Sequence, residues 1–250
     1  MEGTAVRGRL TWQTATVGAV VDETAAVRTL ELSVPDWAGH RAGQHLDVRL
    51  TADDGYVAER SYSIASAPGE PAAITVERLD DGEVSPYLTQ DVQAGDEIEV
   101  RGPIGGYFVW DASSGADPLL LLAGGSGVVP LRAMLRHRAR AGSSVPVRLL
   151  YSVRSMAEVI YRAELSASMP GVEAIYTLTR QQPPGWTGYA RRVDAAMMAE
   201  VAWPFSGDAS PVAYVCGPTN FVEAVAADLV ALGYPPQRVK TERFGATGTP

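Results

Sequence analysis

The sequence predicts two domains: an N-terminal antiparallel Greek-key β-barrel and a C-terminal α/β domain built on a doubly wound parallel sheet. Three observations carry that expectation. From Thr11 to about Trp110 the chain is rich in β-branched residues and is broken by turn signals at short intervals, the pattern of a small antiparallel barrel. Asp111 to Pro118 (Asp-Ala-Ser-Ser-Gly-Ala-Asp-Pro) is small, polar and breaker-rich, as a domain boundary should be. Beyond it, short apolar runs alternate with stretches of helical periodicity, as parallel strands joined by helices require. The expected division is 1–111 for the barrel, 112–117 for the linker and 118–250 for the α/β domain.

In the first half the strand candidates are Ala15–Val21, Val27–Val34, Gln44–Leu50, Ser61–Ala65, Ala73–Leu79 and Glu97–Arg101. His45 to Leu50 alternates polar and apolar residues, the mark of one buried face. Ser85-Pro86 places a capping hydroxyl before a proline at a first helical position, so a brief helix is expected there. In the second half Leu119–Ala123 is a continuous apolar run, suited to a strand buried on both faces. A helix over Val128–Ala141 follows, with Val128, Leu131, Met134 and Leu135 on one side. Then come a strand at Pro146–Ser152, a helix around Glu158–Ala167, a strand at Val172–Leu178 and a helix near Val193–Val201. A strand at Val212–Cys216, a helix at Thr219–Leu232 with Thr219 able to cap it, and a last strand at Val239–Phe244 complete the pattern.

The totals exclude several classes. A chain of 250 residues buries roughly 70–75% of its unfolded surface, so no staples are needed. One cysteine allows neither an internal disulfide nor a cluster or zinc site held by cysteines, and His40, His45 and His137 lack ligand spacing, so no metal is expected. A net charge of −8 argues against nucleic acid as a partner. No stretch approaches the roughly 20 apolar residues of a membrane span. Glu2, Arg7 and Arg9 are followed by no apolar segment, so a cytoplasmic protein is expected, and a monomer.

Two stretches carry chemistry on their own terms. Gly124-Gly125-Ser126-Gly127 lies between an apolar strand and a helix. There, glycines let backbone approach a ligand and the helix start aims free N–H groups at negative charge, so the turn is a candidate phosphate cradle; a tight turn without a ligand is the alternative. Arg60-Ser61-Tyr62-Ser63 puts a cation, a flat aromatic and a hydroxyl on one strand. Arg60 can take a phosphate bidentately, Tyr62 can stack on a planar ring and Ser63 can donate a hydrogen bond; an exposed strand with a solvated arginine is the alternative. Arg132, Arg136 and Arg140 fall at i, i+4 and i+8, a basic stripe that reads either as a solvated helix face or as a dock for an acidic electron carrier.

Arg60-Ser61-Tyr62-Ser63, followed by Ile64-Ala65-Ser66-Ala67-Pro68, resembles the flavin signature of the ferredoxin–NADP reductase superfamily. Further motifs match in order. Gly82-Glu83-Val84-Ser85 resembles the family's Gly-x-x-Ser turn, and Gly102-Pro103-Ile104-Gly105-Gly106-Tyr107-Phe108 its barrel exit. Gly125-Ser126-Gly127-Val128-Val129-Pro130 resembles its Gly-x-Gly-x-x-Pro turn, Tyr214-Val215-Cys216-Gly217-Pro218 its Cys-Gly-Pro turn, and Glu242-Arg243-Phe244 its terminal Glu-x-aromatic. The resemblance implies that Arg60, Ser61, Tyr62, Ser63, Val76, Gly82, Val84, Ser85 and Phe244 hold the flavin. It implies that Gly124, Gly125, Ser126, Gly127, Pro130, Ser152, Arg154, Thr179, Arg180, Cys216, Gly217 and Pro218 hold NAD(P). Ser63, Cys216, Glu242 and Phe244 are the implied catalytic set: Ser63 near the reactive flavin nitrogen, Cys216 positioning nicotinamide, Glu242 relaying a proton or orienting the pair, Phe244 as a lid.

The function so implied is an FAD-dependent NAD(P)H reductase without an iron–sulfur domain. It passes hydride to the flavin and electrons to a ferredoxin, a flavodoxin or an oxygenase component. FAD is expected over FMN. NADPH is expected over NADH, because Arg154 and Arg180 suit a 2′-phosphate and no acid grips a free ribose, with Arg191 or Arg192 as a further contact. A free-flavin or small-acceptor reductase is the alternative enzyme, and a non-catalytic electron-transfer subunit the alternative from another class.

Overall fold

A computed structural model describes residues 10–204 and 210–244; Glu2, Arg7 and Arg9 lie outside the described residues. The first half forms β1 (Gln13–Thr24), β2 (Val27–Ser33), β3 (His45–Thr51), β4 (Val57–Ser63), β5 (Ala72–Glu77), α1 (Ser85–Gln90) and β6 (Glu97–Ile104). The strands pair antiparallel in the order β4-β3-β6-β1-β2-β5, and an Ile64–Ile74 bridge joins the two edges. Leu30, Leu46, Val48, Ile64, Ile74, Val76, Val84 and Leu88 fill the interior and are fully buried. They come from the inward faces of β2 and β3, from β5 and its bridge partner Ile64, and from α1 and the turn before it; β5 is buried from Ala72 to Val76.

The second half forms β7 (Leu119–Gly124), α2 (Val128–Arg140), β8 (Val147–Val153), α3 (Arg162–Ser166), β9 (Val172–Leu178), α4 (Ala195–Val201), β10 (Val212–Pro218), α5 (Thr219–Ala231) and β11 (Val239–Phe244). Its five strands are parallel in the order β11-β10-β7-β8-β9. Leu119 and Leu121 pack on one face of central β7 and Leu120 and Leu122 on the other, so the unbroken apolar run reports a two-sided core.

Four local expectations are corrected. The strand expected at Ser61–Ala65 runs instead over Val57–Ser63, pairing with all of β3, so the Arg60–Ser63 segment closes the strand rather than opening it. Ser85 does not cap α1: it is the first helical residue, behind Val84, and its hydroxyl accepts the Leu79 N–H at 3.0 Å. Thr219 likewise begins α5, behind Pro218, without a side-chain cap. The helix expected over Glu158–Ala167 is broken, because Tyr161 adopts φ 57°, in the left-handed region. That conformation costs about 1–2 kcal/mol, which burying a whole tyrosine ring, worth roughly 2 kcal/mol, can offset.

The arginine stripe is engaged within the chain, although Arg140 remains exposed. Arg132 donates twice to Glu164 Oε2, at 2.9 and 2.7 Å, and once to the Ala65 carbonyl at 3.0 Å. Arg136 and Arg140 both face Glu70, at 2.9 and 3.6 Å. Since Ala65 and Glu70 follow β4, the stripe fastens α2 onto the barrel. Apolar packing runs across the same seam, where Val27, Ala42, Ala65, Ala73 and Phe108 join Val128, Leu131 and Met134 in one buried cluster.

Candidate functional site

The carboxyl edge of a parallel sheet is where open α/β folds place ligands, and the strand registers bring the expected residues to that edge. Gly124 pairs with Ser152 across β7 and β8, Cys216 with Ala123 and with Glu242, and Pro218 with Phe244. Thr179 and Arg180 donate their N–H groups to the carbonyls of Val153 and Arg154, extending the edge past β8 and β9.

The glycine turn is built on contact. A Cβ on Gly127 would lie 2.0 Å from the Cys216 carbonyl oxygen, and one on Gly124 or Gly217 would meet the Phe221 ring at 3.0 or 2.8 Å. The turn and the Cys-Gly-Pro strand end therefore pack backbone to backbone, and this closeness is what its small residues permit. Gly125 has φ +54° and opens toward the barrel, where the nearest group is Glu77 Oε2, 3.9 Å from the position of a Cβ. Ser126 is half-buried, and Pro130 is buried within the first turn of α2.

On the barrel side Arg60 forms an ion pair with Glu83 of the Gly82–Ser85 turn, and Tyr56 also donates to Glu83. Two of the expected flavin motifs are thus joined by their own side chains. Gly82 is packed there too, its Cβ position 2.9 Å from Ser85 Oγ. Ser61 donates to Asp47 at 2.6 Å and Arg101 to the same carboxylate at 2.7 Å. Burial alone would raise the Asp47 carboxyl, but these bonds outweigh it and hold it below the usual range. Tyr62 is mostly enclosed, and burial pushes its phenol up. Val76 and Val84 have their side chains sealed in the barrel core, which leaves only their backbone for a ligand.

The two halves meet at His45, which sequence reasoning passed over. On β3 it pairs with Ser63, and its Nδ1 lies 3.9 Å from Glu242 Oε1 on β11. Burial lowers its pKa despite the nearby Asp47. Glu242 Oε2 is buried with no hydrogen-bond partner among the described residues, and burial lifts this carboxyl to about 7. Beside it Cys216 is 1% exposed; burial first, and the Glu242 charge second, push its thiol well up, so it stays protonated and is no nucleophile.

Arg154 and Arg180 are exposed, and neither guanidinium has a hydrogen bond or ion pair among the described residues. Arg191, by contrast, is held by Asp194 at 2.7 Å and lies over Tyr189, and Arg192 is exposed. Glu77 was also missed; its signal is the one charged residue of β5, closing a strand otherwise apolar but for Thr75. Among the described residues no group of three or more His, Cys, Asp or Glu could hold a metal, and no helix is long and apolar enough to cross a membrane.

These residues fit a flavin and a nicotinamide nucleotide. A half-buried aromatic lies beside a cation and a glycine turn, a second glycine cradle would be filled by any Cβ, and an orphaned carboxylate oxygen marks where they meet.

Comparison with known proteins identifies both halves of the chain. Residues 15–109 match the oxidoreductase FAD-binding domain family and residues 121–227 the oxidoreductase NAD-binding domain family. Ferredoxin–NADP reductase B of Sorangium cellulosum is 37% identical over 212 residues, covering 81% of this chain and 84% of that protein. The glycine betaine monooxygenase reductase subunit of Chromohalobacter salexigens is 33% identical over 91% of this chain, which spans only 63% of that longer relative. Among solved structures, the flavohem-like FAD/NAD-binding domain of nitric oxide dioxygenase from Vibrio cholerae aligns with a TM-score of 0.82 and 26% identity. That alignment covers 94% of this chain and 99% of that one.

Proposed function

Because this chain belongs to the ferredoxin–NADP reductase superfamily, we propose that it takes reducing equivalents from NADPH and delivers them, by way of FAD, to a ferredoxin, a flavodoxin or an oxygenase component. The observation that carries the reading is the meeting at His45: its backbone pairs with Ser63 of the barrel in the β3–β4 register, and its imidazole lies 3.9 Å from Glu242 of the α/β sheet.

FAD, when bound, supplies the ability to accept two electrons from a nicotinamide and release them one at a time. The protein's own residues do the rest. Arg60 and the backbone of Gly82–Ser85 would hold the FAD pyrophosphate, with Glu83 keeping the guanidinium in place beforehand. Tyr62 presents its ring as a stacking face, and Ser63 offers a hydroxyl at the inner end of the site. Cys216, as a neutral thiol on a rigid strand end, fixes where a nicotinamide ring can lie without reacting with it. Glu242, titrating near neutral pH, can hold or give up a proton at Oε2 under working conditions. Phe244, the register partner of Pro218 across β10 and β11, would cover the site and withdraw. Arg154 and Arg180, without a side-chain partner among the described residues, favour a 2′-phosphate. Relatives include reductase components of monooxygenases, which supports a protein acceptor.

The test is the visible spectrum of the purified protein, release and identification of the flavin, and anaerobic titration with NADH and NADPH. A yellow protein carrying FAD and reduced by the lower concentration of NADPH supports the reading; a colourless one that takes up neither flavin overturns it.

A further inference from the structure

Tyr161 is the one described residue other than glycine with a positive φ, and it has no place in the expected flavin or nucleotide sites. It belongs to the α/β half, just ahead of α3, yet its hydroxyl reaches into the barrel and bonds to Thr75 Oγ1 on β5. Thr75 Oγ1 lies 2.8 Å from Thr29 Oγ1 on β2, and Thr29 donates to Glu23 Oε1 at 2.8 Å. Tyr161, Thr75 and Thr29 are all buried.

Chemistry gives this chain of groups a direction. Glu23, as a carboxylate, can only accept, so Thr29 spends its single proton on it. Thr75 must then donate to Thr29, and Tyr161 to Thr75. Burial raises the Tyr161 phenol and keeps that first proton in place. The ring is fixed as well: the Arg132 guanidinium lies 4.4 Å from its centroid while bonding to Glu164 and to the carbonyl of Ala65, two residues beyond Ser63. Arg132 lies on α2, the helix that leaves the glycine turn. Two residues after Thr75 comes Glu77, whose carboxylate faces Gly125 of that turn.

We infer that Tyr161 is a positioning residue for the reaction: heading the directional chain Tyr161–Thr75–Thr29–Glu23, it sets the separation between the nucleotide cradle and the barrel strand that leads to the flavin turn. The inference rests on the reductase reading above. Its left-handed backbone is what turns the ring out of α3 and across the seam. A reaction that passes hydride between two stacked rings depends steeply on their separation, whereas holding each partner does not. The latch therefore acts on rate more than on affinity.

The experiment compares the flavin-loaded protein with Tyr161→Phe and Thr29→Val. Anaerobic rapid mixing gives the limiting rate of flavin reduction and the half-saturating nucleotide concentration. Hydrogen exchange of the apoprotein gives protection of the amides at 73–76 and 160–163. Tyr161→Phe keeps the ring and deletes only the bond, so the limiting rate should fall about tenfold, the equivalent of one buried hydrogen bond, with half-saturation changed less than about twofold. Exchange at both segments should quicken. Thr29→Val, one bond further from the seam, should shift both readouts the same way and by less. An unchanged limiting rate in Tyr161→Phe overturns the inference, and so does a fall matched by lost affinity and lost flavin, which would make the contact merely stabilising. If neither nucleotide reduces the wild-type protein, the reductase reading fails, and the exchange data still decide the latch: unaltered protection in both variants overturns it.

Discussion

Arg60, midway along β4, and Arg154, just past the end of β8, are both exposed arginines, yet one is ion-paired and the other has no partner among the described residues. The contrast extends to their surroundings. On the barrel side Arg60 is held by Glu83, Ser61 by Asp47, and the Ser85 hydroxyl by the Leu79 N–H. On the α/β side Arg154 and Arg180 have no partner among the described residues, and Glu242 keeps a buried oxygen unbonded. A site tied together by its own side chains loses little entropy on binding and suits a group that stays. A rim of unspent charge suits a molecule that arrives, reacts and leaves. On the proposed function, the difference assigns residence to one half of the cleft and exchange to the other.

The strongest way to break this contrast is at the resident side. Arg60→Ala with Tyr62→Ala removes a charge-assisted phosphate contact and an aromatic face, together about 4 kcal/mol, so flavin affinity should fall roughly a thousandfold. The flavin-to-protein ratio after gel filtration reads it directly, and a normal ratio would show that the flavin is held elsewhere.

Next in size is Glu242, the unspent carboxylate. Its pKa is about 7 in the fold against 4.5 as an ordinary carboxyl, so the folded protein holds its proton more tightly. Stability from this group is fully present below about pH 4.5 and is lost as pH rises through 7. The shift corresponds to at most about 3 kcal/mol. Denaturant unfolding of the apoprotein at pH 5 and pH 8 should show Glu242→Gln gaining stability relative to wild type as pH rises across that window. The lowered pKa values of His40 and His45 act in both proteins and leave the difference to Glu242. Parallel curves would mean that the carboxylate is already satisfied.

Gly127 tests whether the exchange side is also rigid beneath its open rim. With a Cβ 2.0 Å from the Cys216 carbonyl oxygen, Gly127→Ala must push β10 away from the turn. The cost should be about 2 kcal/mol, or roughly 4–8 °C in melting temperature. It should slow flavin reduction while flavin stays bound, since Cys216 moves and the barrel does not.

How legible these features were in the sequence depends on what holds them. Elements fixed by short-range pattern were readable: the leucine run of β7, the glycine turn and the alternation of β3 all carry their signals in consecutive residues. Elements fixed by distant partners were not. Ser85 looks like a cap because serine before proline usually is one, but the Leu79 N–H competes for its hydroxyl and wins. Arg132, Arg136 and Arg140 look solvated because nothing nearby in sequence pairs with them; Glu164, Ala65 and Glu70 do so through the tertiary fold. Tyr161 breaks a helix that its neighbours would have continued, and only a barrel strand 86 residues away explains why. His45 escaped notice for the same reason, since its meaning lies in Ser63 and Glu242.

The smallest effect belongs to the bare arginines, and it separates two uses of one charge. If Arg154 grips a 2′-phosphate, Arg154→Ala should raise the half-saturating NADPH concentration about fivefold, the equivalent of roughly 1 kcal/mol for an exposed charge contact, and leave NADH nearly untouched. Arg180→Ala should do the same, and added salt should shrink the difference, because both groups are exposed and screened. Equal rises for NADH and NADPH would move the two arginines from the 2′-phosphate to the pyrophosphate that both nucleotides share. The choice between the nucleotides would then fall to groups facing the glycine turn. Glu77 is the first of these, since its carboxylate already opposes negative charge at Gly125.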